Sequence, residues 1–153
     1  MSQAIPLKRR RGRPPKGQAD YSQTREDLLR SGTELLTEKG YSSTGLDEIL
    51  RRVGVPKGSF YHYFASKDAF VGELIRRYAS FFRHKLDKHL RNESLPPLER
   101  FEAFLADAGD GMARYDFKRG CLVGNLGQEM NALPEAFVEQ INAVFEDWQQ
   151  QVQ

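Results

Sequence analysis

VPKGSFYHYF, residues 55–64, is the stretch on which the reading of this chain turns. It offers two chemistries at once. Val55, Phe60 and Phe64 are apolar and spaced to face a core, whereas Lys57, Ser59, Tyr61 and His62 leave hydrogen-bonding groups on the other side. Directly upstream, STGLDEILRRVG (43–54) reads as a helix followed by a tight turn at Gly54. Helix, glycine turn and short second helix is the layout of a helix-turn-helix, whose second helix enters the DNA major groove. An ordinary helical hairpin whose aromatics only pack has the same periodicity, and periodicity alone leaves both readings open.

Working outward, helical spacing continues in both directions. A first helix is expected over about 25–39, capped by Thr24 with Asp27 completing a capping box and ended by Gly40. Its stripe of Leu28, Leu29, Leu35 and Leu36 includes Gly32 and should cover the helix-turn-helix. The second helix starts after Thr44, with Asp47 as box partner, and the third runs about two turns to Phe64. Ser66 opens a long fourth helix to about Leu90, roughly 35 Å in length, with Phe70, Leu74, Ile75, Tyr78, Phe81, Phe82 and Leu86 as its apolar stripe. Such a helix can join two layers and carry a displacement between them. After the breaker-rich loop 92–97 a fifth helix (98–115) should bury Phe101, Phe104, Leu105, Ala108 and Met112. A sixth begins near Cys121, and a seventh from Pro134 presents Phe137, Ile141, Val144, Phe145 and Trp148. No segment alternates like a strand and no repeat is visible, so the expected fold class is all-α.

Composition narrows the class. Charged residues make up 29% of the 153, and the mean hydropathy is −0.63. No apolar run approaches the roughly 20 residues that cross a bilayer, and the basic N-terminus lacks the apolar region of a secretory signal. The single cysteine forms no internal disulfide, in keeping with a reducing cytoplasm. The formal net charge of +2 hides an uneven distribution: Lys8, Arg9, Arg10, Arg11, Arg13 and Lys16 against Asp20 leave the first 21 residues at +5 and the rest at −3. That tail, containing KRRRGRPPKG (8–17), has no apolar periodicity and reads as disordered when free. Within it Arg11, Gly12, Arg13 and Pro14 form the core of an AT-hook, slim enough for a narrow A·T minor groove that attracts guanidinium groups. A solvated tail binding phosphates without preference is the alternative. Its place ahead of a helix-turn-helix favours the minor-groove reading, because homeodomain arms divide the work in the same way.

EKGYSSTGLDEIL (38–50) and VGVPKGSFYHYFASKDAF (53–70) resemble the DNA-binding domain of the TetR family of bacterial transcriptional regulators. A short helix rich in Tyr, His and Phe, followed by Ser-Lys-Asp at the start of a long helix, carries the likeness over about residues 24–74. A second segment, RGCLVGNLGQEM (119–130), resembles the subgroup of acrylate-utilisation and electrophile-sensing repressors. The resemblance implies that Lys57, Gly58, Ser59, Tyr61 and His62 touch bases and phosphates, and that Thr44 and Lys67 hold phosphates. Lys67 would add a cation beside the free N–H groups of a helix start. Tyr61 can donate to phosphate or stack on a thymine methyl, and Lys57 and His62 can reach guanine acceptors. Phe60 and Phe64 belong to the core, and Tyr63 is ambiguous. The resemblance further implies three parts: a basic tail (1–21), a DNA-binding domain (22–82, helix-turn-helix 45–64), and a helical effector and dimerisation domain (83–153). Family members continue with two more long helices that build the dimer interface, so the last part is read as incomplete. The implied partners are a palindromic double-stranded operator, a second copy of the chain and a small-molecule effector, with no membrane and no cofactor. The implied location is cytoplasmic, on the nucleoid when DNA-bound.

Cys121 follows Arg119-Gly120 and precedes a helical segment. If it opens that helix, the dipole together with Lys118 and Arg119 would favour a thiolate that adds to electron-poor alkenes or aldehydes. A small buried hydrophobe is the plainer reading. Noncovalent capture of a small acid is a third, with Arg119, Asn125 or Gln128 as polar contacts and Met112, Tyr78 and Trp148 as walls. An enzyme is disfavoured. His84 and His89 lie five apart rather than on one helix face, a poor metal pair, and Gly120, Gly124 and Gly127 lack the preceding strand of a phosphate loop. Two further alternatives stand beside an effector-released repressor: an architectural DNA-binding protein that uses the tail with no effector, and an inactive fragment of a longer repressor.

Overall fold

Gly40 and Gly54 take φ of +79° and +71°, a region open to glycine at little cost, and each ends a helix. The computed structural model describes residues 17–153, all helical or loop with no strand among them. The order is α1 (Gln18–Lys39), α2 (Leu46–Val53), a 3₁₀ helix (Lys57–His62), α3 (Lys67–Leu90), α4 (Pro97–Ala113), α5 (Leu122–Gln128), a 3₁₀ turn (Met130–Ala132) and α6 (Glu135–Val152). The expected all-α class is what the chain adopts.

Helix starts differ from expectation in an instructive way. α1 begins at Gln18, so residues 18–21 of the expected tail are helical. Thr24 is no cap: its hydroxyl donates back to the Asp20 carbonyl at 2.8 Å. Tertiary contact holds the extra turns, since Tyr21 stacks on Tyr63 with ring centres 4.9 Å apart and donates to the His62 carbonyl at 2.8 Å. At α2 the cap position is Gly45, and the Thr44 hydroxyl donates to the Gly40 carbonyl at 2.6 Å. The third helix is a six-residue 3₁₀ segment ending at His62. α3 opens as expected, with Ser66 Oγ accepting from the Ala69 N–H at 3.0 Å.

The first layer closes around Phe60, which is fully buried and meets Phe64 at 5.5 Å and Phe70 at 5.6 Å. Leu28, Leu29, Leu35 and Leu36 of α1 and Ile49 and Leu50 of α2 complete this core. α1 and α3 approach so closely at Gly32 that a Cβ there would lie 2.7 Å from the Phe70 ring and 2.8 Å from Leu74. Arg25 with Glu73 and Arg77 with Glu26 pin the two helices at their rims.

The second layer is built on the rest of α3. Leu122, Val123 and Leu126 of α5 are fully buried, as is Ile141 of α6. Phe82 packs against Trp148 at 4.3 Å and Phe104 at 5.8 Å. Three expected faces are only partly buried. Phe81 is 58% exposed, α4 buries Phe104 while Phe101, Leu105 and Met112 stay exposed, and Phe145 is exposed although its ring meets Trp148 edge-on. α4 lies against α3, so the rest of its apolar stripe faces outward.

Candidate nucleic-acid interface and sensing layer

The reading segment divides as its sequence suggests. Val55, Phe60 and Phe64 are buried, whereas Lys57, Gly58, Tyr61 and His62 are exposed and Ser59 is half-buried. Tyr61 is 63% exposed and makes an edge contact to Phe60 at 5.3 Å. Tyr63 turns the other way, onto Tyr21. Lys57 pairs with Asp47 at 3.1 Å, but both side chains are more than 70% exposed, so the pair is weak and yields readily to a stronger acceptor.

Two phosphate candidates flank this face. Lys67 is exposed at the first position of α3 with its ammonium 5.6 Å from the Tyr41 ring centre. Because Ser66 serves Ala69 and Phe70, the N–H groups of Lys67 and Asp68 have no intrahelical partner and add their dipoles to the cation. Thr44 is differently placed: its hydroxyl proton is committed to the Gly40 carbonyl, so holding a phosphate requires that bond to break. Arg11, Gly12 and Arg13 lie outside the described residues.

In the second layer Cys121 caps α5, its Sγ accepting from the Gly124 N–H at 3.3 Å. The two cations expected to act on it, Lys118 and Arg119, are each paired with carboxylates. Arg119 reaches Glu38 at 3.3 Å and Glu34 at 3.6 Å and lies over the Tyr115 ring, while Lys118 pairs with Asp116. What faces the thiol is the Tyr78 hydroxyl, pushed well above the ordinary tyrosine value by burial and by the neighbouring sulfur. Tyr78 therefore stays protonated.

Asn125 and Gln128 do not converge with the cysteine on a common cavity. Asn125 donates to the Leu36 and Thr37 carbonyls at 3.1 and 3.0 Å, closing the open end of α1, and Gln128 is exposed. An open groove of about 520 Å³ between α3 and α6 is lined by Arg76, Arg83, Gln140 and Asp147 among others, and by none of the expected effector residues. Sequence reasoning missed Tyr21 and Glu129. Glu129 accepts from the Tyr41 N–H at 2.6 Å and the Ser42 N–H at 3.2 Å. Neither carried a sequence signal: Tyr21 ends a polar tail, and Glu129 lies 87 residues from Ser42.

A buried aromatic wedge with its polar side turned outward, one glycine turn after a short helix, defines a helix-turn-helix DNA-binding protein. Comparison with known proteins adds the family. The model for bacterial regulatory proteins of the tetR family matches residues 28–74, and that for the tetracyclin repressor-like C-terminal domain matches 97–153. The transcriptional regulator AcuR of Cereibacter sphaeroides is 53% identical over 146 residues, covering 95% of this chain and 66% of that protein. The HTH-type transcriptional repressor NemR of Escherichia coli is 34% identical over 112 residues, covering 73% of this chain and 56% of its own length. A crystal structure of regulatory protein TetR from Rhodobacter sphaeroides superposes with a TM-score of 0.79 at 52% identity, covering 84% of this chain and 68% of that one. The chain belongs to the tetR family of bacterial regulatory proteins. It spans about two thirds or less of the curated relatives it matches. The family is one of regulators, in agreement with the non-enzymatic reading. No described helix is long and apolar enough to cross a membrane.

Proposed function

We propose that this chain is a one-component transcriptional repressor that binds a palindromic operator as two copies and leaves it when a small effector engages the second layer. The observation that carries the reading is α3. Its first turns build the reading head through Lys67 and Phe70, and its later turns wall the layer that holds Cys121 through Tyr78 and Phe82. Lys57, Ser59, Tyr61 and His62 meet base edges and phosphates, Gly58 lets the backbone approach, and Lys67 and Thr44 hold the flanking phosphates. The tail supports a second contact. α1 starts beside His62, and Arg13 lies four residues before Gly17, a reach of roughly 14 Å. In this reading Arg11, Gly12 and Arg13 follow the adjacent minor groove, a contact within that reach.

The effector class rests on the likeness of 119–130 to acrylate- and electrophile-responsive repressors. Cys121 is the trigger in this reading. An adduct on sulfur removes the cap at Gly124 and adds bulk beside Tyr78. Arg119 and Asn125 are spent on α1 and support α5 rather than an effector. Because the response is a population shift, the effector must prefer the released conformation. The test is fluorescence anisotropy of the chain on its own upstream DNA, titrated with acrylate and with acrolein. Loss of operator affinity with either compound supports the reading; tight binding indifferent to both would leave an effector-independent DNA-binding protein.

A further inference from the structure

The second layer touches the DNA-binding layer at a place separate from α3. Gly120 donates its N–H to the Thr37 carbonyl at 2.9 Å, Asn125 holds Leu36 and Thr37, and Arg119 pairs with Glu34 and Glu38. Beyond α5, both oxygens of Glu129 take backbone N–H groups of the loop that leads into α2. The fit is close: a Cβ on Gly40 would lie 2.6 Å from Glu129 Oε2. The same loop supplies the Gly40 carbonyl that orients Thr44. One seven-residue helix thus grips the end of α1 at its start and the entry to the helix-turn-helix just past its end.

We infer that Glu129 is a positioning residue for operator recognition: its carboxylate clamps residues 41–42, setting where α2 and the reading segment stand relative to the second layer, and α5 moves that clamp. A carboxylate that accepts two N–H bonds makes strong, directional contacts. Releasing it frees both donors at once, and the edge contact of the Tyr41 ring with Phe137 of α6, at 6.0 Å between ring centres, then ties the loop to the second layer without holding either backbone N–H. The inference deepens the proposed regulator and rests on it. It names a transmission point distinct from displacement of α3.

The test compares wild type with Glu129→Gln, which keeps the shape but sets an amide NH₂ against a backbone N–H. Kd is measured on the upstream duplex and on a random duplex of equal length. The rate at which iodoacetamide alkylates Cys121 is followed with and without saturating upstream duplex. The lone cysteine reports α5. If α5 and the reading head share one conformational equilibrium, operator binding shifts the population in which Cys121 is reachable and thereby changes its alkylation rate. Expected for the variant is a loss of about tenfold on the upstream duplex, less than twofold on the random one, and alkylation no longer altered by DNA. Backbone hydrogen exchange at Tyr41 and Ser42 should also accelerate. An equal loss on both duplexes would assign Glu129 a merely structural role and overturn the inference, as would a DNA effect on alkylation that survives the substitution. A wild type with no preference for its upstream duplex would sink the proposed regulator itself, and that shows before any substitution is made.

Discussion

At the scale of single residues, the reading face separates groups that specify from groups that only hold. His62→Ala should relax base preference at one or two operator positions, whereas Lys67→Ala should weaken every duplex alike and lower the salt slope by about one. Competition anisotropy over a series of salt concentrations checks this, and equal losses from both variants on operator and random DNA would reject the division. Gly58 offers a cleaner probe. A Cβ there meets nothing within 4 Å in the free protein. Gly58→Ala should therefore leave the melting temperature within about a degree while weakening operator binding, and unchanged binding would show that no DNA backbone comes close. Cys121→Ser keeps a capping acceptor for Gly124 but is no soft nucleophile. The variant should bind the operator normally and ignore acrolein; an undiminished response would remove sulfur from the mechanism.

Elements show why some of this was legible and some not. The 55–64 stretch announced itself because apolar and polar positions alternate within ten residues, and local spacing is what a sequence displays. α3 was equally plain: a serine cap and a long apolar stripe need no distant partner. The start of α1 was misread because its extra turns depend on Tyr21 meeting Tyr63, 42 positions away, and no capping signal marks Gly17. Asn125 and Glu129 were hidden for the same reason, as both act on backbone groups more than 80 residues upstream. Helix-to-helix closeness is hidden in this way too, until a glycine betrays it. Gly32→Ala would push a methyl into Phe70 and Leu74, which should destabilise the fold by about 1–3 kcal/mol through overpacking. Urea denaturation reads this directly, and an unchanged midpoint would mean that α1 and α3 can part without cost.

At the scale of the whole molecule, charge pairing ties the elements and carries a pH dependence of known sign. The Arg77 guanidinium holds the Glu26 carboxyl below its usual range, and His89 does the same for Asp107 across α3 and α4. A depressed folded-state value means stability that is fully present above the unfolded carboxylate value, about 4, and lost as pH falls from there through the lower folded-state value. Glu26→Gln should flatten the acid side of the stability curve, and because that pair is half exposed, added salt should flatten it in the wild type as well. A curve that keeps its slope in the variant would place the acid sensitivity elsewhere. Assembly belongs to this scale too. Sedimentation equilibrium with and without upstream DNA should show two copies per operator, and a single copy would remove the palindrome from the proposal.

α3 runs through one continuous core, in which its Phe70, Leu74 and Ile75 join Leu28 and Ile49 of the first layer to Leu122 and Ile141 of the second, so neither layer can melt while the other keeps that helix whole. Unfolding should be one calorimetric transition, with equal van't Hoff and calorimetric enthalpies. A compound that binds the folded second layer then raises the melting point of the DNA-reading layer along with its own. Effectors can accordingly be sought by differential scanning fluorimetry on the bare protein, before a single base of the operator is known.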